Sequence, residues 1–66
     1  MILINNRDKL EWTPGMTVRD MMKAMNYVYV LITIKVNGEL VDEDDYDTYE
    51  IPDGADVKAI HIHHGG

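Results

Sequence analysis

The chain contains no cysteine. That absence excludes a disulfide framework and a thiol nucleophile, so the core must hold the fold without covalent staples. Positive charge is scarce as well. Six Lys and Arg stand against twelve Asp and Glu, giving a formal charge of −6 and a pI near 4.7. The basic residues Arg7, Lys9, Arg19, Lys23, Lys35 and Lys58 are scattered along the chain. Phosphate recognition needs clustered bases, so nucleic acid and anionic membranes are poor partners. A protein with a basic surface is the natural complement of this net charge. Long apolar runs are missing too: the longest, Tyr27 to Ile32, is far too short to span a bilayer. The opening MILINNRDKL has neither a basic n-region nor an apolar h-region, so no signal peptide is expected and a cytoplasmic location is. At 66 residues the chain reads as one domain, residues 1–66, with no room for a substrate pocket behind a second domain. Hydrophobic residues at 45% and charged residues at 27% argue against disorder.

Short-range patterns give the organisation. Ile2 to Ile4 is apolar and stops at the turn pair Asn5-Asn6. Lys9 to Thr13 alternates, with Leu10 and Trp12 on one face, as a half-buried strand does. The two runs predict an N-terminal hairpin joined across Asn5 to Asp8. Pro14-Gly15 ends it. Thr17 then opens a helix, with Asp20 three residues on as a capping box. Val18, Met21, Met22 and Met25 fall at i, i+3, i+4 and i+7, one helical face that reads as core. Asn26 is placed to close the helix in a left-handed cap.

Tyr27 to Val36 is rich in Val, Ile, Tyr and Thr and meets Asn37-Gly38, a strong hairpin signal because a type I′ turn needs positive φ twice. Its apolar density suggests the middle strand of the sheet, buried on both faces. Glu39-Leu40-Val41 is the return strand. Asp42 to Asp47 holds five acidic residues in six and reads as a solvated loop or a short helical turn, with a docking patch for basic residues as the alternative. It lacks the glycine and the late glutamate of a calcium-binding EF-hand loop. Tyr49 to Ile51 reads as a short strand, Pro52-Asp53-Gly54 as a turn and Asp56 to Ile62 as the last strand. A helix after the first hairpin must cover one sheet face, with the last strand parallel to the first and beside it in the middle of the sheet. The expected fold is therefore α+β: a β-grasp (ubiquitin-like) domain, a mixed sheet of four to five strands under one helix.

The chain ends His63-His64-Gly65-Gly66. A terminal diglycine is a backbone without side chains, topped by a carboxylate. Such a tail fits a tunnel that excludes any Cβ and brings its carboxylate to a partner's nucleotide. Taken in order, Thr17-Val18-Arg19-Asp20-Met21-Met22, Val36-Asn37-Gly38-Glu39-Leu40-Val41, Ile51-Pro52-Asp53-Gly54-Ala55-Asp56-Val57 and the Gly65-Gly66 tail resemble the ThiS/MoaD family of ubiquitin-like sulfur carriers. The short length is closer to its thiamine branch than to its molybdopterin branch. Met21 and Met22 replace the usual leucines, and His64 stands where many relatives carry a small residue.

The resemblance implies a carrier that binds no cofactor of its own. A ThiF-like adenylating enzyme would use ATP to activate the Gly66 carboxylate. A persulfide sulfur donor would displace AMP. The resulting thiocarboxylate would pass sulfur to a thiazole synthase in thiamine biosynthesis. Molybdopterin or tRNA thiolation, or a ubiquitin-like modifier, remain alternatives on the same fold. A metal-binding module is the rival from another class. His61 and His63 share a strand face and His64 points away, which falls short of the four ligands of a structural zinc site, so no metal is expected.

The last strand poses a question of parity. Val57 and Ala59 share one face; Ile60 and Ile62 share the other with Lys58. Plain alternation exposes Ile60 and Ile62 beside the tail as a docking surface, with Glu39, Asp42 and Glu43 as rim contacts. Trp12 and Tyr29 are candidates to extend it. A β-bulge would turn both pairs inward instead.

Overall fold

A computed structural model of the chain describes residues 1–27 and 32–61. The elements are β1 (Ile2–Ile4), β2 (Asp8–Leu10), α1 (Val18–Ala24), β3 (Ile32–Val36), β4 (Glu39–Val41) and β5 (Asp56–His61), with a 3-10 turn at Glu43–Asp45. The strands form one mixed sheet in the order β2-β1-β5-β3-β4. β5 runs parallel to β1 and antiparallel to β3. Both hairpins therefore flank the last strand, which takes the middle of the sheet as expected, while the apolar run before Asn37 does not. β3 is one-sided: Ile34 and Val36 are buried while Lys35 is exposed. The portion of that predicted strand at residues 28–31 lies outside the described residues, as does Ile62 at the end of the last.

Helix α1 forms as its residues dictate. The Asp20 backbone N–H donates to the Thr17 hydroxyl at 3.2 Å, and the Thr17 N–H donates back to the Asp20 carboxylate at 3.1 Å. Those bonds satisfy donors that the first helical turn otherwise orphans. The Thr17 N–H first, and then its hydroxyl, hold the Asp20 carboxyl below the ordinary range. At the other end Asn26 adopts φ 59°, and the Asn26 and Tyr27 N–H groups donate to the Lys23 and Met22 carbonyls. This is a Schellman closure with Asn in the left-handed place. Val18, Met21 and Met22 are buried and Met25 packs beside them, so the methionine stripe is core.

The hydrophobic cluster joins that stripe to Ile2, Ile4, Ile34, Val36 and Val57 from the sheet. Tyr46, just after the acidic turn, is buried and donates its hydroxyl to the Ile32 carbonyl at 2.9 Å. Burial pushes its pKa up. Arg19 lies over the Tyr46 ring and pairs with Asp47 at 3.0 Å. The acidic segment is thus a solvated turn anchored by one aromatic.

Two predicted strands are corrected. β2 spans Asp8–Leu10 rather than Lys9 to Thr13. The chain leaves the sheet there, and the Trp12 indole donates to the Ile51 carbonyl at 2.7 Å. Tyr49 to Ile51 forms no strand; it makes a single bridge, Thr17 to Glu50. Its backbone bonds go to Met16, to Val18 at the start of the helix and to Asp45, and not to the sheet.

Candidate functional site: the central strand and the open sheet face

The central strand β5 carries the candidate Ile60. It is pinned on both sides. On one side lie Ile34–Ala59 and Thr33–Ile60 pairs with β3. On the other, β1 contributes only two paired residues before it turns away at Asn5. There the Asn5 side chain continues the ladder. The Asn5 N–H donates to the Val57 carbonyl at 2.8 Å, and its Oδ1 accepts from the Ala59 N–H at 2.8 Å. Asn suits this place because Asn5 and Asn6 both adopt positive φ, 54° and 57°. Asn37, in the other hairpin turn, grips the start of β5 in the same way: its Oδ1 accepts from the Asp56 N–H at 2.9 Å.

β5 alternates without interruption through the residues whose burial is described. Val57 and Ala59 face the helix, buried at 0% and 5%, while Ile60 is 49% exposed on the opposite side. Five unbroken β3–β5 pairs, from Val36–Val57 to Ile32–His61, leave no place for a bulge. The helix covers one side of the sheet; on the other, among the described residues, Lys35, Leu40 and Ile60 are exposed. On the open side, register places Leu40 across from Lys35, and Lys35 across from Lys58. In the next row toward the end of β5, Ile60 lies across from Thr33. Leu3 lies between Lys9 and Asp56. Leu40 is the most exposed apolar side chain of the face at 59%.

The candidates named from the sequence are therefore only partly brought together. Ile60 stands on the open face. Glu39 pairs with Val36 and so alternates onto the helix side of β4, though it is exposed at the hairpin end. Asp42 and Glu43 are exposed just past β4, at the sheet edge. Trp12 lies on the helix side, half-buried against the core. Ile62, Tyr29, His64, Gly65 and Gly66 lie outside the described residues, as do His63 and the His61 side chain. Leu40 was read from the sequence only as part of a return strand. The signal was present: a two-residue Asn-Gly turn pairs Val36 with Glu39, which forces Leu40 opposite Lys35. Among the described residues no group of three or more His, Cys, Asp or Glu could hold a metal ion, and no helix is long and apolar enough to cross a membrane.

A five-stranded mixed sheet with parallel first and last strands side by side, crossed by one helix, defines a ubiquitin-like β-grasp domain. Two solved structures share that architecture. The crystal structure of the thiamine biosynthesis protein ThiS from Geobacter metallireducens matches with a TM-score of 0.79 at 19% identity, over 98% of this chain and 97% of that one. A solution structure of a thiamine biosynthesis protein from the same organism gives 0.75 at 20% identity, over 98% and 86%. At such identities the likeness is one of fold. The sequence carries the rest: the ThiS family model matches residues 2–66, and the chain belongs to the ThiS family, a family of small sulfur carriers.

Proposed function

We propose that the protein is the sulfur carrier of thiamine biosynthesis and that the reacting atom is the Gly66 carboxyl carbon. The observation that carries this reading is the ThiS family match over residues 2–66, which takes in the Gly65-Gly66 pair. A free carboxylate resists substitution because oxide is a poor leaving group. An adenylating enzyme removes the obstacle: the carboxylate oxygen attacks the α-phosphorus of ATP and pyrophosphate leaves. A persulfide then attacks the acyl carbon and AMP departs, giving an acyl disulfide. A thiol cleaves its S–S bond, leaving the thiocarboxylate on Gly66 and a disulfide on the donor side. The thiocarboxylate passes its sulfur to a thiazole synthase. ATP is bound by the enzyme; the carrier holds no cofactor of its own.

Within this scheme the described domain presents the tail. β5, held on both sides, gives residues 62–66 a fixed point of departure. Ile60 on the open face, with Ile62 beyond it, is the apolar anchor for the adenylating enzyme, and Glu39, Asp42 and Glu43 stand at the rim.

The test is to delete Gly66, or change it to Ala, and to co-express each variant with the adenylating enzyme and a persulfide donor. Circular dichroism should match the wild type. Intact mass should lack the increment for replacing one oxygen by sulfur, which the wild type gains. Normal thiocarboxylation of the truncated protein would end the carrier reading.

A further inference from the structure

We infer that the open face of the sheet recognises an acidic surface of the adenylating enzyme, with the Lys35–Lys58 pair receiving a carboxylate of that enzyme. The inference deepens the carrier reading and rests on it for the identity of the partner.

The argument begins with charge segregation. Register places Lys9, Lys35 and Lys58 on the open face, with Asp56 as the one acidic residue there among the described strands. Three lysines against one aspartate give the paired strand residues of that face +2 in a chain of −6, so the rest of the chain carries −8. The net charge points to a basic partner; the face around Ile60 points to the opposite sign.

Lys35 and Lys58 are directly opposed on adjacent antiparallel strands. Their Cβ atoms are then roughly 5 Å apart, a spacing at which like charges destabilise a sheet. Asp56 approaches Lys58 at 3.6 Å from along its own strand, and both side chains are substantially exposed. Among the described residues neither Lys35 nor Lys9 has an ion-pair partner. A carboxylate seated between the Lys35 and Lys58 ammonium groups converts a repulsive pair into two attractive ones.

Apolar flanks make the site an interface and not an isolated charge. Leu40 lies beside Lys35 on one side, and Ile60 follows Lys58 along β5. At 59% and 49% exposure, these are two of the three large apolar side chains most open to water among the described residues. Exposed apolar groups beside unneutralised charge match a partner surface with an apolar centre and carboxylates around it.

The experiment uses the full chain and the adenylating enzyme, with the dissociation constant measured by calorimetry at low and high salt. Lys35→Glu should weaken binding at least about tenfold at low salt, and the loss should shrink as salt screens the contact. The same substitution replaces a like-charged cross-strand pair by an opposite one, so its melting temperature should equal or exceed that of the wild type. Lys23→Glu, on the exposed side of the helix, changes net charge equally and should leave affinity within about twofold. Equal or tighter binding by Lys35→Glu overturns the inference, as does an equal loss from both variants, which would report only net charge. A wild-type dimer dissolved by Lys35→Glu also overturns it, because the occupant would then be a second copy's acidic turn. Thiocarboxylate formation on the wild type is scored separately by intact mass. If it occurs and Lys35→Glu binds normally, the charge assignment alone falls. If it does not occur, the carrier reading falls and takes this inference with it.

Discussion

Removing the Asn5 side chain should weaken the domain by an amount that can be worked from its two roles. Its Oδ1 accepts the Ala59 N–H at 2.8 Å, part-buried, where β1 has already turned away from β5. Its backbone sits at φ 54°. Asn5→Gly keeps the left-handed conformation accessible and deletes only the hydrogen bond. A half-buried donor left without a partner costs about 1–3 kcal/mol. Asn5→Ala adds the penalty of a Cβ in the left-handed region, about 1–2 kcal/mol, for a total near 2–5 kcal/mol. A domain of this length has roughly 3–10 kcal/mol of stability in all. Asn5→Gly should therefore lower the melting temperature by roughly 4–24 °C and Asn5→Ala by more, at about 4–8 °C per kcal/mol. Calorimetry gives the two differences, and hydrogen exchange at the Ala59 amide gives the local one. That amide should lose protection in Asn5→Gly while the Ile34 amide in the neighbouring strand keeps most of its own. Wild-type stability in Asn5→Gly with an unchanged Ala59 exchange rate would refute the claim that a side chain completes the ladder of the central strand.

Val57→Ala should cost about 2–3 kcal/mol, because Val57 is fully buried, whereas Ile60→Ala should cost under about 1 kcal/mol and weaken binding of the adenylating enzyme. Equal losses of stability from the two, read by urea titration, would mean that β5 does not alternate. Met22→Asp places an unpaired charge against the sheet, at 4% exposure, and should leave the chain unfolded by circular dichroism. Thr17→Ala should cost about 1 kcal/mol through the lost cap. Asp20 has its folded pKa below its unfolded one, so its contribution is present above the unfolded value and fades as pH falls through the folded value. Asp20→Asn should accordingly flatten the acid limb of the stability–pH curve, and an unchanged limb would show that this carboxylate is not responsible.

Much of the local structure is written in short sequence spans because its physics is local. Thr17 and Asp20 cap the helix, Asn26 closes it, Asn37-Gly38 turns the hairpin, and the Val18–Met21–Met22 spacing places one face in the core; each depends on residues within a turn of one another. The ThiS motifs and the diglycine end were legible for the same reason. The parallel pairing of the first and last strands in the middle of the sheet also followed, since one helix after one hairpin leaves few ways to cover a sheet. Contacts between distant segments were not legible. Trp12 leaves the sheet because the Ile51 carbonyl, 39 residues away, offers a better partner than a continued strand. Asn5 looks like a turn residue until Ala59, 54 residues on, needs an acceptor. The parity of β5 was an even choice between alternation and a bulge until its pairing with β3 settled it, because only register against a neighbour decides which side of a strand meets the helix. Charge shows the same division. Composition determines a chain of −6, but where those charges stand depends on strand pairing, and pairing gathers three lysines onto the one sheet face that the helix leaves open.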